Sequence, residues 1–201
     1  MDINEKFAYM ATGQPYNDLD VELVALRDAA TVKTNALNAT DDVDEKARLF
    51  QALVGKTGPR PFVNPSFRVE FGRNIQVGAD FYANYDCTLL DGAPITIGDH
   101  VLFGPKVGLY TSNHLFDATE RELGGCIAKP ITIGSRCWLA ASVTVLPGVT
   151  IGDNTIIGAG SVVTHDIAAN VIAAGNPCQV IRPITAADQT GFDGQQFKLN
   201  H

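Results

Sequence analysis

A six-residue period in the large apolar residues is the feature of this sequence that most restricts its fold. Between residues 131 and 166 the period is strict in two rows that lie two residues apart. The first row is Ile133, Leu139, Val145, Ile151, Ile157 and Val163. The second is Ile131, Cys137, Val143, Val149, Thr155 and Ser161. An α-helix repeats every 3.6 residues and a strand every two, so neither explains a period of six. The pattern predicts a coil with three flat faces per turn, a hexapeptide β-helix.

The same period begins earlier in the chain and is interrupted once. Apolar residues recur loosely from Val77, and after Ile97 and Phe103 the period reaches Leu109. The next apolar position should be residue 115, but it is Ile133, so 18 residues leave the coil before the period resumes. We therefore predict an all-β solenoid over residues 58–184, with a loop at about residues 111–130.

The two ends of the chain lack the period. Residues 1–57 predict helices: one near the N-terminus, one that Asp18 or Asp20 would cap, and one that Asp41 or Asp42 would cap. A solenoid needs atypical ends because an uncovered terminal coil exposes its core and its strand edges. We expect residues 1–57 to form an α-helical cap and residues 185–201 to form a polar tail.

Composition excludes several classes of protein. A chain of 201 residues with a net charge of -7 is expected to be one domain with appendages that binds neither nucleic acid nor an anionic membrane. It contains no apolar run near the ~20 residues of a membrane-spanning helix, and its N-terminus does not resemble a signal peptide, so we expect a cytoplasmic protein. Its four scattered cysteines are interpreted as buried free thiols.

Candidate chemistry is expected where the period breaks. His114 lies in the predicted loop, although a solvent-exposed loop histidine is the alternative interpretation. Asn84 occupies a corner position that glycine fills elsewhere, where an amide could also simply bond the turn. Trp138, the only tryptophan, should point outward and mark a contact. No two histidines stand three or four residues apart, so we expect no metal site.

Several segments together resemble the maltose and galactoside O-acetyltransferases. The resemblance rests on Tyr-Ala-Asn-Tyr-Asp-Cys-Thr-Leu-Leu-Asp at 82–91 and Asn-His-Leu at 113–115. It continues through residues 129–134, 143–166 and 173–178, and it covers about residues 5–184. It implies a left-handed parallel β-helix with an N-terminal α-helical cap. It also implies a homotrimer with active sites between subunits and acetyl-CoA along the groove.

The resemblance further implies that the chain moves an acetyl group from acetyl-CoA to a sugar hydroxyl, without a catalytic metal. His114 matches the general base, and Asn84 matches a residue beside the reacting carbonyl. The positions implied for the sugar are Asp18, Glu70, Tyr82, Asn84 and Asp91. Those implied for acetyl-CoA are Trp138, Ala141, Ala159, Thr164, His165, Gln179 and Arg182. His165 and Gln179 stand where similar proteins often carry Lys and Arg near the phosphates.

Three other functions remain open from the sequence. A xenobiotic acetyltransferase acting on chloramphenicol or a streptogramin would share the coil but not the helical cap. A γ-carbonic-anhydrase-like protein would need a close histidine pair. A non-catalytic solenoid that assembles with a partner would release no thiol from acetyl-CoA. Within the leading hypothesis, maltose, glucose and galactosides are all possible acceptors.

Overall fold

The computed structural model describes residues 1–194. The last part of the predicted tail, residues 195–201, lies outside the described residues. No helix in the described part of the chain is long and apolar enough to cross a membrane.

Three helices precede the coil, as predicted. They are α1 (Ile3–Met10), α2 (Val21–Ala39) and α3 (Val43–Leu53), and a two-residue strand, β1 (Tyr16–Asn17), lies between α1 and α2. Asp2, Asp20 and Asp42 cap them by accepting hydrogen bonds from backbone N–H groups of the first turn. Of the alternative caps predicted for α2 and α3, the structure selects Asp20 and Asp42.

Short strands follow one another along the rest of the chain. The strands before the loop are β2 (Lys56–Thr57), β3 (Phe62–Val63), β4 (Arg68–Val69), β5 (Ile75–Val77), β6 (Tyr82–Ala83), β7 (Thr88–Leu90), β8 (Ile95–Ile97), β9 (Leu102–Phe103) and β10 (Gly108–Tyr110). The loop contains β11 (Ser112–His114), α4 (Ala118–Glu122) and β12 (Gly125–Ala128). After it come β13 (Ile131–Ile133), β14 (Trp138–Leu139), β15 (Thr144–Val145), β16 (Thr150–Ile151), β17 (Ile156–Ile157), β18 (Val162–Val163), β19 (Val171–Gly175) and β20 (Cys178–Pro183). A 3-10 turn, Ala186–Asp188, follows.

The strands stack into three sheets, one for each face of the coil. Within residues 1–194 the orders are β2-β5-β8-β13-β16, β3-β6-β9-β14-β17-β19-β20 and β4-β7-β10-β15-β18. Neighbouring strands in these sheets are parallel except β19 and β20, which form an antiparallel end. The predicted fold class, a left-handed parallel β-helix with an N-terminal α-helical cap, is confirmed. The first strand of the coil begins at Lys56, two residues before the coil boundary expected from the sequence.

The two six-residue rows form the interior of the coil. Every member of both rows is buried, including the polar Thr155 and Ser161. The four cysteines are buried free thiols, as predicted. Corner glycines are required by the approach of the next coil: a Cβ at Gly98 would lie 2.6 Å from the backbone nitrogen of Ser135. The left-handed backbone at this corner belongs to His100, at φ 55°, so glycine here supplies space rather than a positive φ.

The loop that interrupts the coil is tied to the N-terminal cap. Strands β11 and β12 form an antiparallel pair, and β1 adds to the other side of β12. Asp18 donates its backbone N–H to the Gly124 carbonyl at 2.8 Å, which extends this pairing. A segment near residue 17 and a loop near residue 114 are therefore held together in one small sheet.

Candidate active site

His114 is the last residue of β11, in the small sheet formed by the loop, and it is exposed. It lies directly opposite Cys126 in the β11–β12 pair. The imidazole Nδ1 is 3.1 Å from the Cys126 Sγ. The other ring nitrogen, Nε2, has no protein hydrogen-bond partner among the described residues. His114 thus has one nitrogen held by the protein and one available to a bound molecule.

Two carboxylates and a guanidinium form an ion cluster where the cap meets the coil. Arg27, on α2, donates from Nη2 to Asp18 Oδ1 at 2.6 Å. It also donates to Glu70 Oε1, from Nη2 at 3.0 Å and from Nε at 3.2 Å. The three side chains are 12% to 28% exposed, so the cluster is partly shielded from water. The structure brings together two of the predicted sugar-binding residues, Asp18 and Glu70.

The ionisable groups around this cluster perturb one another. Burial raises the pKa of Glu70 to about 7, although the charge of Arg27 opposes the increase. Burial also raises the pKa of the Cys126 thiol to about 11, and the charges of Asp18 and Glu70 add to it. The pKa of Tyr16 is raised by burial, with Asp18 and Glu70 again contributing. These mutual influences place the ion cluster within electrostatic range of the thiol that contacts His114.

Asp91 has a different position from the other predicted sugar-binding residues. Its side chain is fully buried, and Oδ1 accepts hydrogen bonds from the backbone N–H groups of Phe71 at 2.8 Å and Gly72 at 3.0 Å. Oδ2 accepts from the Asn74 N–H at 3.1 Å. Because both oxygens bind the turn of the preceding coil, the structure does not bring the Asp91 carboxylate to the open site.

An apolar groove of about 750 Å³ runs along another corner of the coil. Four of the predicted site residues line it, together with small neighbours that keep it open: Asn84, Trp138, Ala141 and Ala159, with Gly104, Pro105, Ala140 and Gly158. Asn84 Oδ1 accepts the N–H of Tyr85 at 2.8 Å. Its Nδ2 has no protein partner within residues 1–194, so its amide hydrogens are available at the edge of the groove.

The outer surface of the seven-stranded sheet beside the groove carries a continuous apolar row. In register order the row is Phe62, Tyr82, Leu102, Trp138, Ile156 and Ile172. Leu102 and Trp138 are both 48% exposed. The equivalent row on the sheet that begins with β2 is polar: Lys56, Gln76, Thr96, Thr132 and Thr150. Tyr82, predicted to bind sugar, stacks on Phe62 in the apolar row with ring centroids 5.9 Å apart.

The remaining predicted cofactor residues lie near the C-terminal end of the coil. Thr164 and His165 follow β18, and Thr164 Oγ1 is 2.8 Å from His165 Nδ1. Gln179 and Arg182 lie on β20, where Gln179 is exposed. Arg182 donates from Nη2 to Asp188 Oδ1 at 2.6 Å and from Nη1 to Asp188 Oδ2 at 2.9 Å. The predicted phosphate-binding arginine is therefore paired with a carboxylate of the segment that follows the coil.

The groove with Asn84 and the loop with His114 lie at different corners of one chain. Asn84 follows β6 at one edge of the face that contains β7, whereas the loop with His114 leaves the coil at the other edge, after β10. The three residues of β7 alone span about 10 Å at 3.3 Å per residue. Accordingly, no hydrogen bond joins His114 to Asn84 in the described chain.

Sequence reasoning missed two members of the site, Arg27 and Cys126. Arg27 meets Glu70 only when α2 packs on the coil, and helix periodicity carries no sign of a partner 43 residues away. Cys126 was interpreted as one more buried thiol, but its strand places it opposite His114. The sequence Gly-Cys-Ile-Ala at 125–128 does not alternate between polar and apolar residues, so no period-two signal in the sequence indicates the pairing. No group of three or more His, Cys, Asp or Glu side chains in residues 1–194 is arranged to hold a metal ion.

Two families of sequence match this chain. Residues 130–165 match the bacterial transferase hexapeptide family (six repeats). Residues 9–58 match the maltose acetyltransferase hexapeptide capping motif. These two segments cover the strict part of the six-residue period and most of the helical cap.

Individual proteins match over most of their length. The galactoside O-acetyltransferase of Escherichia coli (strain K12) is 43% identical over 148 residues, which are 74% of this chain and 73% of that protein. The solved maltose O-acetyltransferase from Clostridium difficile 630 superposes with a TM-score of 0.87 at 41% identity, covering 90% of this chain and 97% of that one. A galactoside acetyltransferase solved in complex with coenzyme A superposes with a TM-score of 0.88 at 35% identity, covering 100% of both chains.

Proposed function

We propose a function for this chain from the premise that it belongs to the hexapeptide-repeat acetyltransferases of the galactoside and maltose O-acetyltransferase family. It transfers an acetyl group from acetyl-CoA to a hydroxyl of a sugar, with His114 as the general base. The observation that carries this proposal is the small sheet of β1, β12 and β11. That sheet joins a histidine with one free ring nitrogen to a cluster of carboxylates, which are groups that accept hydrogen bonds from sugar hydroxyls.

The acceptor sugar binds between the cap and the loop. Asp18 and Glu70 provide acceptor oxygens, and Arg27 fixes their orientation through its three hydrogen bonds. Because the pKa of Glu70 is about 7, the two carboxylates and the guanidinium together carry between zero and one net negative charge at neutral pH, which favours neutral over anionic acceptors. Asp91 contributes indirectly, by holding the turn that follows Glu70.

Acetyl-CoA, the second substrate, fits the groove lined by Trp138, Ala141 and Ala159. The groove is long, apolar and bordered by small residues, which suits a flexible thioester arm. Gln179 and Arg182 lie on the last strand of the sheet that contains Trp138, where a guanidinium can bind phosphate. Thr164 and His165 follow β18, at the edge where the loop with His114 leaves the coil. The galactoside acetyltransferase with this fold that was solved with coenzyme A supports the assignment.

The reacting centre forms between copies of the chain. His114 and Asn84 lie at opposite edges of one face, so a single copy does not bring both to one thioester. The apolar row that includes Leu102 and Trp138 is exposed in one chain, and a second copy would cover it. We assign a homotrimer, in which three copies close a ring and each interface joins His114 of one copy to Asn84 of another.

The proposed chemistry is a single acyl transfer. The His114 imidazole removes the proton from the attacking hydroxyl, and the hydroxyl oxygen forms a bond to the thioester carbonyl carbon. Asn84 Nδ2 donates a hydrogen bond to the negative charge that develops on the carbonyl oxygen. The carbon–sulfur bond then breaks, and the imidazolium returns its proton to the departing thiolate. The products are an acetyl ester and a free thiol.

The cell compartment proposed is the cytoplasm. All four cysteines are free thiols, which fits a reducing environment. A xenobiotic acceptor such as chloramphenicol is disfavoured, because the capping motif of the maltose acetyltransferases spans residues 9–58.

An acceptor panel tests the function. The purified protein is supplied with acetyl-CoA and with maltose, glucose, a galactoside or chloramphenicol, and thiol release and acetyl ester formation are both measured. Thiol release that requires a sugar, with one ester formed per thiol, is the expected result. Turnover with chloramphenicol alone would assign the xenobiotic function. No release above the no-acceptor rate with any compound would favour a non-catalytic solenoid.

A further inference from the structure

We propose that Cys126 is a positioning residue for His114, whose thiol holds the imidazole in the tautomer with Nδ1 protonated and Nε2 free. The inference rests on the proposed role of His114 as general base, because only a nitrogen without a proton can accept one. It adds a residue and an assignment of the two ring nitrogens to that mechanism.

The contact between the two residues is built into the backbone. His114 and Cys126 are direct partners in the antiparallel β11–β12 pair, and β1 binds the far side of β12, where Tyr16 is opposite Cys126. Cys126 is therefore on the central strand of the small sheet, and its side chain is only 3% exposed. Strand register puts the two side chains on the same face of the small sheet, where Sγ and Nδ1 are 3.1 Å apart.

Burial decides which ring nitrogen reacts. Nδ1 faces a buried sulfur, so an acceptor hydroxyl cannot reach it without displacing Cys126. Nε2 has no hydrogen-bond partner among residues 1–194, and His114 itself is exposed. Nε2 is thus the nitrogen that meets the hydroxyl, and Nδ1 must carry the proton in the active form.

The charges behind the thiol favour this tautomer. Burial raises the pKa of Cys126, so the thiol stays neutral and can act as a weak acceptor. Four groups face it: Asp18 after β1, Glu70 after β4, Arg27 on α2 and Tyr16 on β1. Because the pKa of Glu70 is about 7, the two carboxylates and the guanidinium together carry between zero and one net negative charge at neutral pH, and the potential on this side becomes negative as Glu70 loses its proton. A proton on Nδ1 places the positive end of the N–H bond toward that negative potential.

The same arrangement serves the protonated ring that forms during the reaction. An imidazolium carries a proton on both nitrogens, and its Nδ1–H donates to Sγ without any movement of the ring. A ring held this way needs no reorganisation between its two protonation states. The positioning partner of a catalytic histidine acts on tautomer and orientation in this manner in other enzymes.

The tautomer can be measured directly by ¹⁵N NMR of protein labelled at histidine. The His114 signals are assigned by their loss in His114→Gln. When the ring is neutral, the wild-type protein should show Nδ1 protonated and Nε2 unprotonated. Cys126→Ala should shift His114 toward the Nε2–H tautomer, which free histidine favours. It should also lower kcat, by less than the roughly 10² to 10⁴ that a general base contributes, with an unchanged KM for acetyl-CoA.

Two further variants keep the test decisive. Cys126→Ser keeps an acceptor for the Nδ1–H group, but its oxygen lies further from Nδ1 than the sulfur does because the C–O bond is shorter than the C–S bond. It should fall between wild type and Cys126→Ala in both tautomer and kcat. Cys137→Ala removes a buried thiol that bonds the Gly152 carbonyl inside the coil, and it should leave the His114 signals unchanged. If Cys126→Ala does not fold, the wild-type tautomer and Cys126→Ser still decide.

An Nε2–H tautomer in the wild-type protein would overturn the inference. So would a Cys126→Ala protein whose His114 signals and kcat match those of wild type. Because the NMR measurement needs no substrate, its result stands apart from the activity assays that test the proposed function.

Discussion

Glu70 and Arg27 are joined by two hydrogen bonds through a single carboxylate oxygen. Oε1 accepts from Arg27 Nη2 at 3.0 Å and from Nε at 3.2 Å, whereas Oε2 is buried and has no partner in the described residues. A carboxylate that is desolvated on one side and paired on the other is costly to ionise. The pKa of Glu70, raised to about 7, follows from this geometry.

The first prediction concerns the pH dependence of stability. The pKa of Glu70 is about 7 when folded and 4.5 in its usual environment, so between these values the folded protein binds more protons than the unfolded chain. Stability should therefore rise as the pH falls from 8 to 5, by about 3 kcal/mol from this group. Glu70→Gln should lose that rise, as measured by denaturant unfolding at fixed protein concentration.

Glu45 provides the matched control for this prediction. It is a surface glutamate whose pKa is lowered by its hydrogen bond to Arg48, so its linkage to pH has the opposite sign. Glu45→Gln should keep the rise between pH 8 and pH 5. If Glu70→Gln also keeps it, the burial of Glu70 is not its cause.

The second prediction tests whether the site is shared between copies. His114→Ala chains and Asn84→Ala chains are each expected to be nearly inactive. Assemblies reconstituted from an equal mixture should regain about one quarter of wild-type activity, because a random ring places both intact residues at one interface in four. Mixtures no more active than the separate variants would place both residues in one chain's site.

The third prediction concerns the pairing of Arg182 with Asp188. The Arg182 guanidinium holds the pKa of Asp188 well below its usual value, so Asp188 stays ionised and occupies two donors that a phosphate could use. Asp188→Asn should free Arg182 and tighten coenzyme A binding by about 2- to 5-fold, the range for an exposed ion pair. Calorimetric titration measures it, and Arg182→Ala should weaken binding. Equal affinity in Asp188→Asn and wild type would show that the pair does not compete with coenzyme A.

The sequence predicted the coil because its constraint is periodic. Each inward residue, from Ile133 to Val163, repeats the environment of the one before it, so a single rule describes all of them. The break in that rule also predicted the loop with His114. Periodicity could be extrapolated because neighbouring coils differ little in geometry.

The site was harder to predict because its contacts cross between elements. Arg27 reaches Glu70 only through the packing of α2, and Cys126 reaches His114 only through the register of β11 and β12. Asp91 was predicted to bind sugar because it lies in a family motif. Its carboxylate instead accepts hydrogen bonds from backbone N–H groups of the preceding coil. Which oxygens remain free depends on stacking, which no local pattern encodes.

The most direct test of the central claim is the rate of acetyl transfer by His114→Gln. The variant places an amide of similar size at the exposed end of β11. Asn113→Ala, on the same strand, serves as the control for a disturbed loop. With a sugar identified by the acceptor panel, kcat should fall by about 10² to 10⁴ while the KM for acetyl-CoA and the unfolding temperature stay at wild-type values. A kcat within a few-fold of wild type would contradict the assignment of His114 as the general base.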